Sequence, residues 1–211
     1  MQKIKGIIFD LDGTLIDSRK DLASSVNLTR KDFNLETLDF ETIVSFIGNG
    51  TPKLVERSFR GTNIDPGNAL SIYKNHYSKH LADETYCYAG VIELLKKLQT
   101  LSVKCSIITN KHEAATREIL KILKIENFFD IILGGDSFDS LKPSPEPLLF
   151  VAEKWNLQPE EILMAGDNWT DIAAARNAGM KSVSVEYGFG NLKDEKPDFK
   201  IEHPEDLLKL I

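Results

Sequence analysis

Short apolar runs ending in polar clusters alternate with amphipathic helical stretches along most of this chain. That alternation restricts the fold to a parallel sheet with crossover helices, because parallel neighbours need a connection of helical length. The first run, Ile4 with Gly6-Ile7-Ile8-Phe9 and Leu11, reads as a strand buried on both faces. From residue 90 the pattern predicts helices at 91–101, 112–123, 145–155 and 169–178, with strands at 103–108, 129–133, 162–165 and 182–185 between and after them. A short strand at 199–201 and a terminal helix from Pro204 complete the set. The expected class is α/β, a parallel sheet with helices on both faces.

Residues 18–84 interrupt this pattern with no buried strand. Apolar spacing predicts four amphipathic helices there, over 19–33, 40–47, 52–59 and 68–81. The stretch is too long for a loop and long enough to pack as its own small helical bundle. The expected organisation is a core of residues 1–15 and 86–211 carrying an inserted helical domain of residues 16–85. The two crossings, at 15–18 and 83–88, are the expected hinges.

Composition narrows the function. With a net charge of −6 and acids and bases interspersed, the chain lacks the basic stripe of a nucleic-acid binder. Two cysteines, Cys87 and Cys105, are too few for a disulfide scaffold and read as buried thiols. No apolar stretch has the length of a membrane span, and the expected location is cytoplasmic. The histidines at 76, 80, 112 and 203 have no metal-ligand spacing.

The chemistry sits where strands end. Side chains at i and i+2 of a strand share a face, so Asp10 and Asp12 leave the first strand in one direction before the turn at Gly13. That end of an open α/β sheet is where ligands bind. The pair suits one acid acting as nucleophile and the other as proton shuttle. The same residues also make an ordinary Asp-Gly surface turn. Other strand ends offer Thr109 and Asn110, then Asp167 with Asp171 four residues on, and Lys142 lies in the loop before a helix. Singly these are helix caps, first-turn acids and a solvated lysine. Together they make an oxygen site for a hard divalent cation beside a hydroxyl, an ammonium and backbone N–H groups for phosphate oxygens. Phosphoryl transfer needs this inventory of positioning and charge neutralisation.

Four ordered segments resemble the motifs of the haloacid-dehalogenase-like hydrolase superfamily: Asp10-Leu11-Asp12-Gly13-Thr14, Thr109-Asn110-Lys111, Lys142-Pro143, and Gly166-Asp167-Asn168-Trp169-Thr170-Asp171. The resemblance spans essentially the whole chain, and the helical insertion looks like that superfamily's cap. It implies a Rossmann-like core. The likeness narrows toward phosphoglycolate phosphatases through Ile47-Gly48-Asn49-Gly50, Tyr187-Gly188-Phe189-Gly190, and Asp17-Ser18 with Asp21-Leu22. Asn168 and Ser144 depart from residues common in relatives, a small hydroxyl and a histidine respectively.

The resemblance implies a magnesium-dependent phosphatase for a small phosphate monoester, with 2-phosphoglycolate the leading substrate. Asp10 is implied as nucleophile through an aspartyl-phosphate and Asp12 as general acid and base. Thr109, Asn110 and Lys142 are implied around the phosphate. Asp10, the main-chain carbonyl of Asp12, and Asp167 are implied on Mg2+, and Asp171 is implied in support, either orienting Lys142 or standing outside the metal's ligands. Gly48, Asn49 and Gly50 form a candidate substrate loop in the insertion. Lys53 and Arg57, one helical turn apart, either hold an anionic group or form a solvated face. The expected partner is a small phosphorylated metabolite, with neither nucleic acid nor membrane, on a monomer or homodimer.

Alternatives keep the core and change the outcome: pyrophosphate, a nucleotide or a sugar phosphate as substrate, or a phosphomutase. Residues 16–28 lack the histidine that mutase caps usually carry. A receiver-like regulatory module would lack the insertion, and a non-catalytic phosphate-binding protein would have little reason to keep both Asp10 and Asp12.

Overall fold

The computed structural model describes residues 3–211. In chain order its elements begin with β1 (Gly6–Phe9) and β2 (Ile16–Asp17). The inserted helices follow: α1 (Arg19–Asp32), α2 (Phe40–Val44), α3 (Thr51–Ser58) and α4 (Pro66–Lys79). Next come β3 (Tyr86–Cys87), α5 (Val91–Thr100), β4 (Lys104–Ile108), α6 (Glu113–Ile122) and β5 (Ile131–Leu133). The chain closes with α7 (Glu146–Trp155), β6 (Ile162–Gly166), α8 (Trp169–Ala178), β7 (Lys181–Val185) and β8 (Phe199–Ile201).

Six strands form one sheet in the order β5-β4-β1-β6-β7-β8, every neighbouring pair parallel. β1 lies between β4 and β6, with Phe9 opposite Ile107 on one side and Ala165 on the other. The chain runs from β1 outward through β4 and β5, then returns to β6 on the far side. This reversal places the crevice at the carboxyl ends of β1, β4 and β6, the position expected for a ligand in a doubly wound sheet. Alternation along β1 fills both faces. Ile7 and Phe9 join the larger hydrophobic cluster with Leu94, Leu98 and Ile119, while Ile8 joins Leu148, Val151 and Ala174 on the opposite side.

Helices α1 to α4 pack on one another through α1·α4, α3·α4 and α1·α2 contacts, and Leu22, Val26, Ile43, Leu54 and Tyr73 continue the larger cluster. Some elements differ from the periodicity. α4 starts at Pro66 rather than at Asn68, because Asp65 accepts the Asn68 N–H and proline suits the first helical position. α2 ends at Val44 rather than at 47, giving way to turns that carry the glycine loop. The terminal segment Pro204–Leu210 is a 3-10 helix. The two crossings lie side by side. β2 and β3 pair antiparallel, Ile16 opposite Cys87 and Asp17 opposite Tyr86, in a two-stranded ribbon that apolar periodicity over two residues cannot signal. Cys105 is buried and Cys87 half-buried, both free. Among the described residues, no helix is long and apolar enough to cross a membrane.

Candidate active site

β1 ends in Asp10, whose N–H donates to Ala165 O on β6. Its Oδ1 lies 2.8 Å from Lys142 Nζ. Lys142 comes from the loop before α7 and is buried: Nζ donates to Asp171 Oδ1 and to Ile108 O, each at 2.7 Å. Burial opposes its charge, yet Asp10 and Asp171 outweigh that and raise its pKa. Of the two roles left open for Asp171, the structure shows the contact that orients Lys142. Asp171 also closes the N-terminus of α8, where the Asn168 N–H donates to Oδ2 at 3.0 Å and Asn168 caps the helix. Burial, reinforced by Asp10 and only partly offset by Lys142, raises the Asp171 pKa to about 6.

Asp167 follows β6 and is held by a loop far along the chain. Its Oδ2 accepts the N–H groups of Phe189 at 3.0 Å and Gly190 at 2.6 Å. Gly13 (φ +85°) turns beneath it, where a Cβ would stand 1.9 Å from Asp167 Oδ2. Only glycine meets both the left-handed backbone and that approach. Burial, then the neighbouring Asp10 and Asp171, drives the Asp167 pKa well above the carboxylate range. Carboxylate oxygens of Asp10, Asp167 and Asp171 lie within 4.8 Å of one another. Counting Asp12, Lys111 and Lys142, the local formal charge is four acids against two lysines, −2. An all-oxygen donor set with two uncompensated negative charges fits a hard divalent cation.

Asp12 stands apart from that cluster. Its carboxylate accepts from Lys111 Nζ at 3.1 and 2.9 Å and from Ser18 Oγ at 2.5 Å. Neither partner carried a role in the sequence reading. Lys111 directly follows Thr109-Asn110, and only the fold, which packs Tyr77 of α4 over its Nζ at 4.9 Å, makes it a buried cation.

Asp10, Asp12, Thr109, Asn110, Lys142 and Asp167 line one cavity of about 50 Å³, roofed by Gly48, Gly50, Thr51 and Leu54 from the inserted helices. Thr109 is buried there, its Oγ1 accepting the Lys111 N–H at 3.3 Å. Asn110 lines the cavity and also makes contacts of its own. Its side-chain amide is used on the Lys142 main chain, accepting from N at 3.0 Å and donating to O at 3.2 Å, and on Gly48 O at 3.4 Å. It therefore ties the lysine loop to the inserted loop. Gly48 (φ +107°) lies so near Asn168 that a Cβ would come within 2.5 Å of its Nδ2. Asn49 does not line the cavity. Its Oδ1 accepts from Arg57 Nη2 at 2.9 Å, and Arg57 Nη1 donates to Phe46 O at 2.9 Å. Arg57 thus braces the loop from outside, and exposed Lys53 pairs with Glu56 at 2.7 Å. Both residues are spent away from the cavity. Phe189 and Gly190 line it as well; their segment was visible in the sequence as a likeness without an assigned contact.

The profile of haloacid dehalogenase-like hydrolases matches residues 7–185. The phosphoglycolate phosphatase of Nitrosospira multiformis is 39% identical over 197 residues, covering 90% of this chain and 87% of its own. That of Aquifex aeolicus is 35% identical, covering 97% and 95%. A crystal structure described as a predicted phosphoglycolate phosphatase from Haemophilus somnus superposes with a TM-score of 0.94 at 32% identity, covering 99% of this chain and 98% of that one. In sequence, in fold and in the order of its strand-end residues, the chain belongs to the haloacid dehalogenase-like hydrolases.

Proposed function

We propose that the chain is a magnesium-dependent phosphatase for a small phosphate monoester, 2-phosphoglycolate foremost, with residues 16–85 a cap over a core of 1–15 and 86–211. One observation carries the mechanism: the two carboxylates at the end of β1 have separate partners, Asp10 facing Lys142 and Asp12 facing Lys111 and Ser18. Two acids in different settings take different roles. Asp10 attacks phosphorus and forms an aspartyl-phosphate as the ester oxygen leaves. Asp12 gives that oxygen its proton, then takes one from the water that hydrolyses the intermediate. Lys142 and the Thr109 hydroxyl hold phosphoryl oxygens. Asp10, Asp167 and the main-chain carbonyl of Asp12 would hold Mg2+, which when bound neutralises phosphoryl charge and orients it.

The small cavity favours a short ester over a nucleotide or sugar phosphate. Its lining includes no histidine, which favours hydrolysis over phosphoryl return to a sugar. Relatives from two organisms, both phosphoglycolate phosphatases, support the same substrate.

The test is phosphate release from 2-phosphoglycolate, pyrophosphate and a panel of esters, with Mg2+ and with chelator. The expected result is metal-dependent release concentrated on 2-phosphoglycolate and a loss of at least about 10³-fold in Asp10→Asn, the scale of losing a covalent nucleophile. Preference for another ester would keep the mechanism and replace the substrate. Full activity in Asp10→Asn would remove Asp10 as nucleophile.

A further inference from the structure

We propose that Lys111 is the receptor for a carboxylate on the leaving group of the substrate and so sets the enzyme's choice of acidic esters. This rests on the reading that the site hydrolyses a carboxylate-bearing phosphate ester.

Two cations line the cavity, Lys142 and Lys111. An ammonium has three N–H donors. Lys142 donates to Asp171 and Ile108 O and pairs with Asp10, so it stands at the phosphoryl end and is already assigned to the phosphoryl oxygens. Lys53 and Arg57, the cations of the glycine-loop helix, are paired elsewhere. A carboxylate entering this narrow space sheds water and needs a buried cation, which leaves Lys111.

Its placement suits that task. Nζ makes both of its hydrogen bonds to the two oxygens of Asp12, the acid assigned to the ester oxygen. A substrate carboxylate one carbon from that oxygen therefore arrives beside Lys111. The lysine side chain is only 4% exposed, and Tyr77, stacked on Tyr73 with ring centroids 5.7 Å apart, walls it from solvent. Tyr77 belongs to α4 of the insertion, whereas Lys111 follows β4 of the sheet, so the receptor is complete only when the two parts are together. A point charge on a flexible stem can serve Asp12 and a second carboxylate in turn.

The experiment compares kcat and KM for 2-phosphoglycolate and for 2-hydroxyethyl phosphate, which carries a neutral hydroxyl in place of the carboxylate. It uses wild type, Lys111→Met and Lys111→Arg, each loaded with Mg2+ and each checked for an intact melting transition. In parallel, 3-phosphonopropionate and propylphosphonate, the acidic and neutral non-hydrolysable analogues, are titrated calorimetrically. The expected result is that Lys111→Met loses roughly 10- to 100-fold more kcat/KM on the acidic ester than on the neutral one, as one charged hydrogen bond is worth. The excess loss appears in KM, the preference for 3-phosphonopropionate falls by a similar factor, and Lys111→Arg restores part of both. Equal losses on the two esters, with an unchanged analogue preference, would show that Lys111 acts only through Asp12 and would overturn the proposal. So would a wild type with no preference for the acidic analogue. Failure of wild type to hydrolyse either ester would instead fall on the phosphatase reading, and the analogue titration would still decide the role of Lys111.

Discussion

Lys142 shows how a single buried charge organises this site. Its ammonium joins Asp10, Asp171 and the end of β4, and Asp171 beneath it is wholly buried. Lys142→Met leaves that carboxylate without its cation, and breaking such a pair costs about 3–5 kcal/mol. Denaturant unfolding should show a loss of that size, and Lys142→Met combined with Asp171→Asn should recover part of the stability but none of the turnover. A loss below about 1 kcal/mol would mean that Asp171 finds another partner. Gly13 makes a second test at this scale. Gly13→Ala forces a Cβ into the Asp167 carboxylate on a left-handed backbone. The Mg2+ concentration for half-maximal activity should rise at least about tenfold, as for lost support of a metal ligand, and an unchanged requirement would argue against Asp167 as a ligand.

Among the elements, the joint between insertion and core depends on α1. Its Asp21 carboxylate accepts from Glu84 N at 3.1 and 3.0 Å, Thr85 N at 2.8 Å and Thr85 Oγ1 at 2.7 Å, just ahead of β3. Asp17 on β2 takes Arg19 Nη2 at 2.6 Å, and Arg19 stacks over Phe189, whose N–H holds Asp167. The ribbon is thereby connected to the loop that holds Asp167. Asp21→Asn weakens charge-assisted bonds worth about 1.5–3 kcal/mol each. Amide exchange at residues 84–86 should accelerate while β4 and β6 keep their protection. Uniform acceleration across the sheet would mean the contact stabilises the whole fold instead of the joint. Sequence periodicity placed the helices but missed this ribbon, since two-residue strands carry no pattern and their pairing joins Asp17 to Tyr86, 69 positions on.

At the scale of the molecule, the excess of acid at the sheet's carboxyl edge couples folding to metal and pH. Burial raises the folded-state pKa of Asp171 to about 6 and lifts that of Asp167 well above its ordinary value. A raised carboxyl pKa means the folded state binds more protons, so metal-free stability falls as pH climbs from the unfolded carboxyl range through the folded one. A bound cation relieves that penalty, and at low pH it must first displace protons. The Mg2+-induced rise in Tm should therefore be larger at pH 7.5 than at pH 5. Calorimetric scans showing equal shifts at the two pH values would contradict it.

The sequence by itself determined the class of the sheet, the helical insertion, the family, and the acids and lysine that close the strands. Those features are local: period 2 in a strand, period 3.6 in a helix, and short motifs at strand ends. Tertiary structure decided which charge meets which. Lys111 and Asp12 lie 99 positions apart and become a buried ion pair only because β1 and β4 are neighbours and Tyr77 closes over them. Asn49 and Arg57 brace each other outside the cavity for the same reason. A polar group becomes a binding group or a brace according to the partners and burial it acquires, and both are set by distances that no local pattern carries.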